Sequence, residues 1–172
     1  MISQVQTYQP EQTPRRAEFA AWVIAILIGG TWLWVGRAYA TGLTTFLGWA
    51  LFAILLFSAL AISLGNWVGR STMLILAPDY VSFRNGLRNV MLHWDEINEL
   101  EVHPARWEAK RVDVWGENAH FSFYTHGKVR YNGEVRDNTG FAAGNEILQE
   151  IIKSAKMTLK NETNKVYYYA RE

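Results

Sequence analysis

Two long stretches of the chain contain no charged residue, and they limit its possible folds more than any other feature. The first runs from Phe19 to Gly36 and the second from Ala38 to Gly69, so Arg37 alone separates them. A helix that crosses the bilayer core, about 30 Å thick, needs about 20 mostly apolar residues. Each stretch is long enough for one crossing. We predict a transmembrane hairpin over residues 18–69, with spans at about 18–35 and 44–67.

Two other interpretations of this region are open. Buried helices of a soluble protein are disfavoured, because the second uncharged stretch is longer than a small core can bury. A cleaved secretory signal is suggested by Ala38-Tyr39-Ala40, which has the small-x-small form that precedes a cleavage site. However, a second apolar segment follows at once, which a signal peptide alone does not have.

Small residues recur at four-residue spacing within both predicted spans. This spacing puts small side chains on one helix face and lets two helix backbones approach closely. We expect the spans to pack along a seam of small residues: Ala21, Ala25, Gly29, Ala59 and Ser63. The interiors of both spans lack the acidic, basic and histidine side chains that pumps and ion-coupled transporters usually need within the membrane. The hairpin therefore fits an anchor or docking surface better than a transport path.

Basic residues lie mainly outside the loop that connects the two spans. That loop, at about 36–43, contains only Arg37. Five arginines lie beyond the outer ends of the spans: Arg15, Arg16, Arg70, Arg84 and Arg88. Because Lys and Arg near span ends favour the cytoplasmic side, we expect a multi-pass protein of the cell inner membrane. Both termini should then be cytoplasmic, including an N-terminal segment over residues 1–17.

After the second span the hydrophobic period changes to two, which predicts β-strands. Asn85-Gly86 separates two such runs, and this pair is preferred at the two positive-φ positions of a type I′ turn. With that turn, Val81 would face Val90 across the hairpin. Alternation then places five apolar residues on the core face: Val81, Phe83, Val90, Leu92 and Trp94.

The remainder of the chain continues with short strands and then a helix. Alternating runs predict five more strands, at about 99–103, 111–114, 119–124, 128–131 and 134–137. The last two should close at Asn132-Gly133. A helical period follows from about Thr139 to Met157, capped by Asn138 or Thr139. Its apolar face comprises Ile147, Leu148, Ile151, Ile152 and Ala155.

This order of about seven antiparallel strands and one amphipathic helix resembles the pleckstrin-homology-like (PH-like) fold. Two short motifs carry the resemblance, Leu74–Val81 and Trp94-Asp95-Glu96-Ile97. They are similar to the bacterial PH-like domain family, whose members often follow membrane spans. The resemblance covers about residues 70–158. It implies an α+β membrane protein with a PH-like β-barrel or sandwich and one C-terminal helix, followed by a tail over 159–172.

Charge and composition exclude several classes of function. The chain has 17 Lys and Arg against 16 Asp and Glu, and these balance from Arg70 onward. A nucleic-acid-binding domain would normally show a basic excess, so no nucleic acid partner is expected. The chain has no cysteine, which excludes disulfides, zinc thiolates and a cysteine nucleophile.

Catalytic and metal-binding chemistry is not indicated by the spacing of the polar residues. Four histidines, His93, His103, His120 and His126, fall in strands or loops without the i, i+4 spacing of helical metal ligands. The adjacent carboxylates Asp95-Glu96 are typical of a turn cap, since no nucleophile or phosphate loop accompanies them. We therefore predict no enzyme activity, no metal site and no cofactor.

The densest basic and aromatic cluster lies between two predicted strands: Arg106, Trp107, Lys110 and Arg111. Such a loop can contact anionic lipid headgroups, where each basic residue contributes about 1 kcal/mol. It can equally contact a protein partner. Near the C-terminus, the run Tyr167-Tyr168-Tyr169 is consistent with a segment that docks on a partner or contacts headgroups. It is equally consistent with an unanchored, frayed end.

These features predict a non-catalytic, membrane-anchored adaptor or accessory subunit that serves a larger membrane complex. Only Arg70 separates the second span from the first strand, so the PH-like module should be held at the membrane. Its partners would be other membrane-protein subunits. The alternative is a module that senses anionic lipid through the Arg106–Arg111 loop.

Overall fold

The computed structural model describes residues 4–11, 15–39 and 42–171, which form two compact units. The helical unit comprises Pro14–Val68. The β unit comprises Met1–Thr13 together with Gly69–Glu172. The segment before the first helix and the residues after the second helix thus belong to the same folded unit.

Two helices, α1 (Arg16–Tyr39) and α2 (Gly42–Ser71), make up nearly all of the helical unit. Both are long and apolar enough to cross a membrane, with mean hydropathies of 1.7 and 2.3 in their spanning windows. Only 11% and 6% of those windows is buried within the protein, whereas a core helix of a soluble protein would be mostly buried. Residues 40 and 41, within the predicted loop and partly within Ala38-Tyr39-Ala40, lie outside the described residues.

The first sheet of the β unit has four antiparallel strands in the order β1-β2-β3-β4. They are β1 (Gln6–Tyr8), β2 (Thr72–Leu76), β3 (Tyr80–Asn85) and β4 (Asn89–His93). The N-terminal strand β1, which the sequence pattern did not predict, pairs with β2 so that Gln6 faces Leu76 and Tyr8 faces Leu74. Strands from opposite ends of the helical hairpin are therefore neighbours in one sheet.

The predicted register of the β3–β4 hairpin is wrong by two residues. Val81 faces Leu92, not Val90. The loop is Gly86-Leu87, because the backbone N–H of Asn85 donates to the carbonyl of Arg88 at 3.0 Å. Within this loop only Gly86 has a positive φ, of 78°, which matches a type II′ turn with glycine in the first central position. A shift of two residues keeps every side chain on its predicted face, and all five predicted core residues are buried.

The side chain of Asn85 explains why it precedes the turn instead of occupying it. Its Oδ1 accepts the backbone N–H groups of Leu87 at 3.2 Å and Arg88 at 2.8 Å. Asparagine often satisfies turn amides in this way. The second Asn-Gly pair behaves as predicted, because Asn132 and Gly133 have φ of 50° and 84°. They join β8 (Gly127–Tyr131) to β9 (Glu134–Thr139).

The second sheet has five antiparallel strands in the order β10-β11-β5-β6-β7. Three follow the first sheet: β5 (Ile97–Pro104), β6 (Lys110–Gly116) and β7 (His120–Tyr124). The other two, β10 (Met157–Thr163) and β11 (Val166–Arg171), occupy the end of the predicted helix and the region predicted as a tail over 159–172. Strand β11 pairs with β5, where Tyr169 faces Leu100. The C-terminal residues thus form part of the sheet.

One helix, α3 (Gly144–Ser154), covers the core between the sheets, and it is shorter than predicted at both ends. Its start is delayed because Gly140 has a φ of 78° and approaches the carbonyl of Thr125, where a Cβ atom would collide. Neither Asn138 nor Thr139 caps it. Ile147 and Ile151 are fully buried, which confirms the predicted apolar face. They pack in one cluster with residues of both sheets, including Leu74.

Candidate interaction site

A short 3₁₀ turn at Arg106–Glu108 joins β5 to β6 and forms the centre of the predicted basic and aromatic cluster. Two backbone hydrogen bonds close it, from Ala105 N–H to Ala109 O at 2.9 Å and from Ala109 N–H to Arg106 O at 3.2 Å. Trp107 and Glu108 both adopt left-handed conformations, with φ of 58° and 65°. Such a conformation is uncommon for bulky residues and costs about 1–3 kcal/mol, so surrounding contacts must hold it.

Strand β8 supplies those contacts. A Cβ atom at Gly127 would lie 2.8 Å from the Ala109 methyl and 3.2 Å from the Trp107 carbonyl, so only glycine allows this close approach. Beside it, Arg130 Nη2 lies 3.2 Å from Glu108 Oε1 in an exposed ion pair. The turn is thus fixed by its own backbone and by β8. The indole of Trp107 remains 45% exposed.

The four predicted contact residues divide into two pairs. Lys110 lies over the ring of Tyr167, 5.8 Å from its centroid. Arg111 forms an ion pair with Asp113, with Nη2 2.9 Å from Oδ1. Arg106 and Trp107 are both exposed, and Arg106 has no ion-pair partner among the described residues. The structure therefore leaves Arg106 and Trp107 available for a ligand and gives Lys110 and Arg111 internal partners.

Asp113 is the reason that Arg111 is held. This carboxylate lies on the outward face of the second sheet yet is 94% buried under its neighbours, with 6% of the residue exposed. Ser122 Oγ donates to its Oδ1, as does Arg111 Nε at 3.0 Å. His103 Nε2 lies 3.8 Å from the other carboxylate oxygen and 3.0 Å from Glu101 Oε2. A buried carboxylate needs such partners, so these contacts are structural.

Next to the 3₁₀ turn lies a pocket of about 350 Å³. Its lining residues come from three separate parts of the β unit: Arg106, Trp107, Ala109, Tyr124 and Thr139. Two aromatic residues, one alanine, one threonine and one arginine thus line a single cavity. Sequence reasoning identified Arg106 and Trp107 but missed Tyr124 and Thr139. No spacing rule could have found them, since the fold alone brings β7 and the end of β9 to this turn.

The two motifs that resemble the PH-like family contact each other. Trp94 Nε1 donates to the carbonyl oxygens of Pro78 at 2.9 Å and Ala77 at 3.1 Å. From the C-terminal strand, Arg171 Nη2 donates to the carbonyl of Trp94 at 3.2 Å. The side chain of Glu96 accepts the backbone N–H of His93 at 2.8 Å, as a turn cap does. These motif residues therefore join strands and turns of the β unit.

The polar side chains of the types that bind metals or take part in catalysis are dispersed in the β unit. Among the described residues, no three His, Asp or Glu side chains are arranged as a metal ion would require. His120 stacks on Trp115 with ring centroids 4.5 Å apart. His126 Nδ1 is 3.6 Å from Glu11 Oε1, beyond hydrogen-bond distance, and has no hydrogen-bond partner in the described part of the chain.

The predicted small-residue seam can be located in the helical unit. Ala25 and Ala59 are buried, with 1% and 0% exposed, and a Cβ at Gly29 would collide with the ring of Phe52. Ala21 is half-buried. Ser63 accepts a hydrogen bond from Trp22 Nε1 at 2.8 Å.

A second polar contact joins the two helices near the start of α1. Asn66 Nδ2 donates to Glu18 Oε2 at 2.9 Å. The pairs 22–63 and 18–66 run in opposite directions along the chain, so the two helices pack antiparallel. Small residues allow the close approach, and polar side chains fix the register.

The three consecutive tyrosines have distinct environments within β11. Tyr167 and Tyr169 pack against the core, whereas Tyr168 faces away from it. Burial raises the pKa of Tyr168, and a hydrogen bond to Glu99 with the charges of Glu99 and Glu101 raises it further. Burial also raises the pKa of Tyr169, with smaller effects from Tyr167 and Glu162.

Comparison of the chain with models of protein families, with curated proteins and with solved structures finds no match.

Proposed function

We propose that the protein is a non-catalytic, membrane-anchored adaptor or accessory subunit of a larger membrane complex. In this proposal α1 and α2 insert as a hairpin, and the β unit is a PH-like module at the cytoplasmic face. The low burial of both apolar helices supports insertion, because their outward side chains need an apolar surrounding. The order of a strand meander, a second sheet and α3 over the core supports the PH-like assignment.

The pairing of β1 with β2 is the observation that carries the proposal. Gln6 precedes both helices and Leu76 follows them, yet these two residues face each other in one sheet. Backbone N–H of Glu11 also donates to the carbonyl of Gly140 at 2.8 Å, which fixes the N-terminal segment at a second point. Both ends of the hairpin therefore enter one domain. A domain attached through two short connections has little freedom to move away, and this restraint raises its effective concentration for neighbouring membrane proteins.

Membrane insertion would also fix the sidedness of the β unit. Because β1 and β2 pair directly, the chain between them must cross the bilayer an even number of times. The two spans satisfy this requirement. The five arginines beyond the span ends, against Arg37 alone in the loop, favour the cytoplasmic side for the β unit.

The alternative, recognition of anionic lipid through residues 106–111, has less support from the contacts. Two of the three cations in that loop have internal partners, Lys110 on the ring of Tyr167 and Arg111 on Asp113. Only Arg106 could approach a headgroup without losing such a contact. One exposed cation contributes about 1 kcal/mol at an anionic surface, which is too little for recognition.

Co-purification from mild detergent, followed by native mass spectrometry, tests the proposed function. We expect the full-length protein to elute with at least one membrane-protein partner at fixed stoichiometry. A matched control is a chain that keeps the hairpin, residues 14–71, and lacks the β unit; it should lose that partner while still fractionating with membranes. Elution of the full-length protein alone, with behaviour that depends only on the added lipid, would contradict the adaptor function.

A further inference from the structure

We propose that the pocket between Trp107 and Tyr124 binds an acidic peptide segment of a partner protein, anchored by one aromatic or aliphatic side chain. This inference rests on the proposed adaptor function and names the chemistry of the partner. The pocket is defined by Arg106, Trp107, Ala109, Tyr124 and Thr139, and is called the Trp107 pocket below.

The walls of the pocket fit an apolar side chain. Trp107 and Tyr124 are 45% and 48% exposed, so both rings present apolar surface at the pocket. Between them the volume of about 350 Å³ is enough for a single large side chain and part of its backbone. Aromatic rings with a polar edge are the residues that most often form the centre of a protein interface.

Charge at the rim indicates the sign of the ligand. Segments 106–110 and 127–139, which contact each other through the turn and β8, carry five Lys or Arg and three Asp or Glu. Glu108 is paired with Arg130 and Glu134 with Arg136. Arg106 remains without an ion pair among the described residues, and a guanidinium binds carboxylates through two parallel hydrogen bonds. The surface around the Trp107 pocket therefore favours an acidic ligand.

An extended chain fits better than a small isolated molecule. A second cavity, of about 310 Å³, shares Tyr124 and Thr139 with the Trp107 pocket and continues to Glu11 and Asn138. The two cavities adjoin at Tyr124 and Thr139, and their linings include a cation, Arg106, in the first and a carboxylate, Glu11, in the second. A peptide that occupied both cavities would place its acidic residues at Arg106 and its non-acidic end near Glu11.

The left-handed backbone at Trp107 and Glu108 is consistent with a binding role. Two adjacent residues of the turn, Trp107 and Glu108, adopt this conformation, and the close approach of Gly127 maintains it. A turn already fixed in this way loses little entropy when a ligand binds.

Fluorescence anisotropy of labelled peptides with the full-length protein in detergent micelles tests the proposal. The probe is a peptide with the core Asp-Glu-Phe-Asp, compared with a matched peptide in which Lys replaces each acidic residue. Arg106→Glu and Trp107→Ala should each weaken binding of the acidic peptide by about tenfold or more. Trp115→Ala, which removes a 41%-exposed indole elsewhere on the second sheet, and Arg88→Glu at the β3–β4 turn should leave it unchanged.

Three results would overturn the proposal. The first is equal binding of the acidic and basic peptides, or acidic-peptide binding that the two pocket variants retain. The second is quenching of Trp107 by brominated anionic lipid in nanodiscs, read as the difference between wild type and Trp107→Ala, which would assign the turn to the membrane.

The third result separates the proposal from the adaptor function. If pocket variants still co-purify with a stoichiometric partner, the pocket assignment fails and the adaptor function stands. If the acidic peptide binds but no partner co-purifies, the adaptor function fails alone.

Discussion

Thr7, which precedes both long helices, pairs with Ile75, which follows them, in adjacent antiparallel strands. If the helices insert, this pairing requires residues 7 and 75 to be on the same side of the bilayer. We expect reporters that are active only in the cytoplasm to be active when fused after Glu172 and inactive when inserted in the 36–43 loop. Activity in the loop alone would reverse the orientation. Activity of the same reporter at only one of the two termini, when it is also fused before Met1, would be incompatible with the β1–β2 pairing itself.

The contribution of β1 to stability can be measured at Tyr8. This side chain packs against the core, and burial raises its pKa, as do the charges of Glu146 and Glu150 on α3. Tyr8→Ala should lower the free energy of unfolding of the β unit by about 1–2 kcal/mol, because it exposes a half-buried ring. Denaturant unfolding of the full-length protein, followed by circular dichroism, gives the value. Tyr131→Ala, at a 65%-exposed ring, is the control and should change stability by less than about 0.5 kcal/mol.

The turn between β3 and β4 makes opposite predictions for two adjacent positions. Gly86 has a φ of 78°, so Gly86→Val should destabilise the β unit by about 1 kcal/mol or more. Leu87 does not have a positive φ, so Leu87→Val should be close to neutral. A neutral Gly86→Val, or equal costs at both positions, would contradict the type II′ turn. The same unfolding measurement distinguishes them.

Asn85→Ala tests the same turn through its side chain. It removes the Oδ1 that accepts two backbone N–H groups and should cost about 1 kcal/mol. A neutral Asn85→Ala would mean that water replaces the side chain at both amides.

Alkaline pH should destabilise the β unit. The pKa values of Tyr8, Tyr168 and Tyr169 are raised above the ordinary value of 10.0, so the folded state holds these phenolic protons more tightly than the unfolded state. Their contribution to stability is complete below pH 10 and is lost as the pH rises through the raised values. The phenolate absorbance of these tyrosines should rise above pH 10. This rise should occur together with unfolding of the β unit. Tyr168→Phe should remove one of them without changing the fold at neutral pH.

Two adjacent isoleucines of α3 test the packing of this helix. Ile151 is fully buried, whereas Ile152 is only partly buried at the edge of the same cluster. Ile151→Ala should cost about 2–5 kcal/mol, a large fraction of the 5–15 kcal/mol that stabilises a typical domain. Ile152→Ala should cost clearly less. A melt of the full-length protein that Ile151→Ala leaves unshifted would mean that α3 is a surface helix.

Sequence periodicity predicted the elements that depend on local chemistry. The two uncharged stretches indicated both long helices, and alternation indicated the core face of β3 and β4. Turn geometry was less certain, because Asn-Gly fits both type I′ and the position before a type II′ turn. Asn132-Gly133 adopts the first arrangement and Asn85-Gly86 the second. At the β3–β4 turn, the Asn85 side chain accepts the backbone N–H groups of Leu87 and Arg88, which suits the position before the turn.

The elements that sequence reasoning missed are those whose partners are distant along the chain. Strand β1 has three residues and no alternation of its own, and it is ordered by β2. Strand β11 has a signal in the sequence, the β-branched and aromatic run Val166–Tyr169. A turn at Asn164-Lys165, with φ of 51° and 66°, precedes this run and joins it to β10. Of the Trp107 pocket, the sequence showed only the two residues that are adjacent in the chain.

The β1–β2 pairing also sets an order of events during synthesis. The ribosome produces β1 first, but its partner strand appears only after every residue of α1 and α2 has been made. Until then β1 has no sheet to join, so its strand hydrogen bonds with β2 cannot form. Strand pairs this far apart in the chain form slowly, because loop closure precedes any gain from contacts. The first sheet can therefore be completed only after both helices have been made and their outer ends have come together.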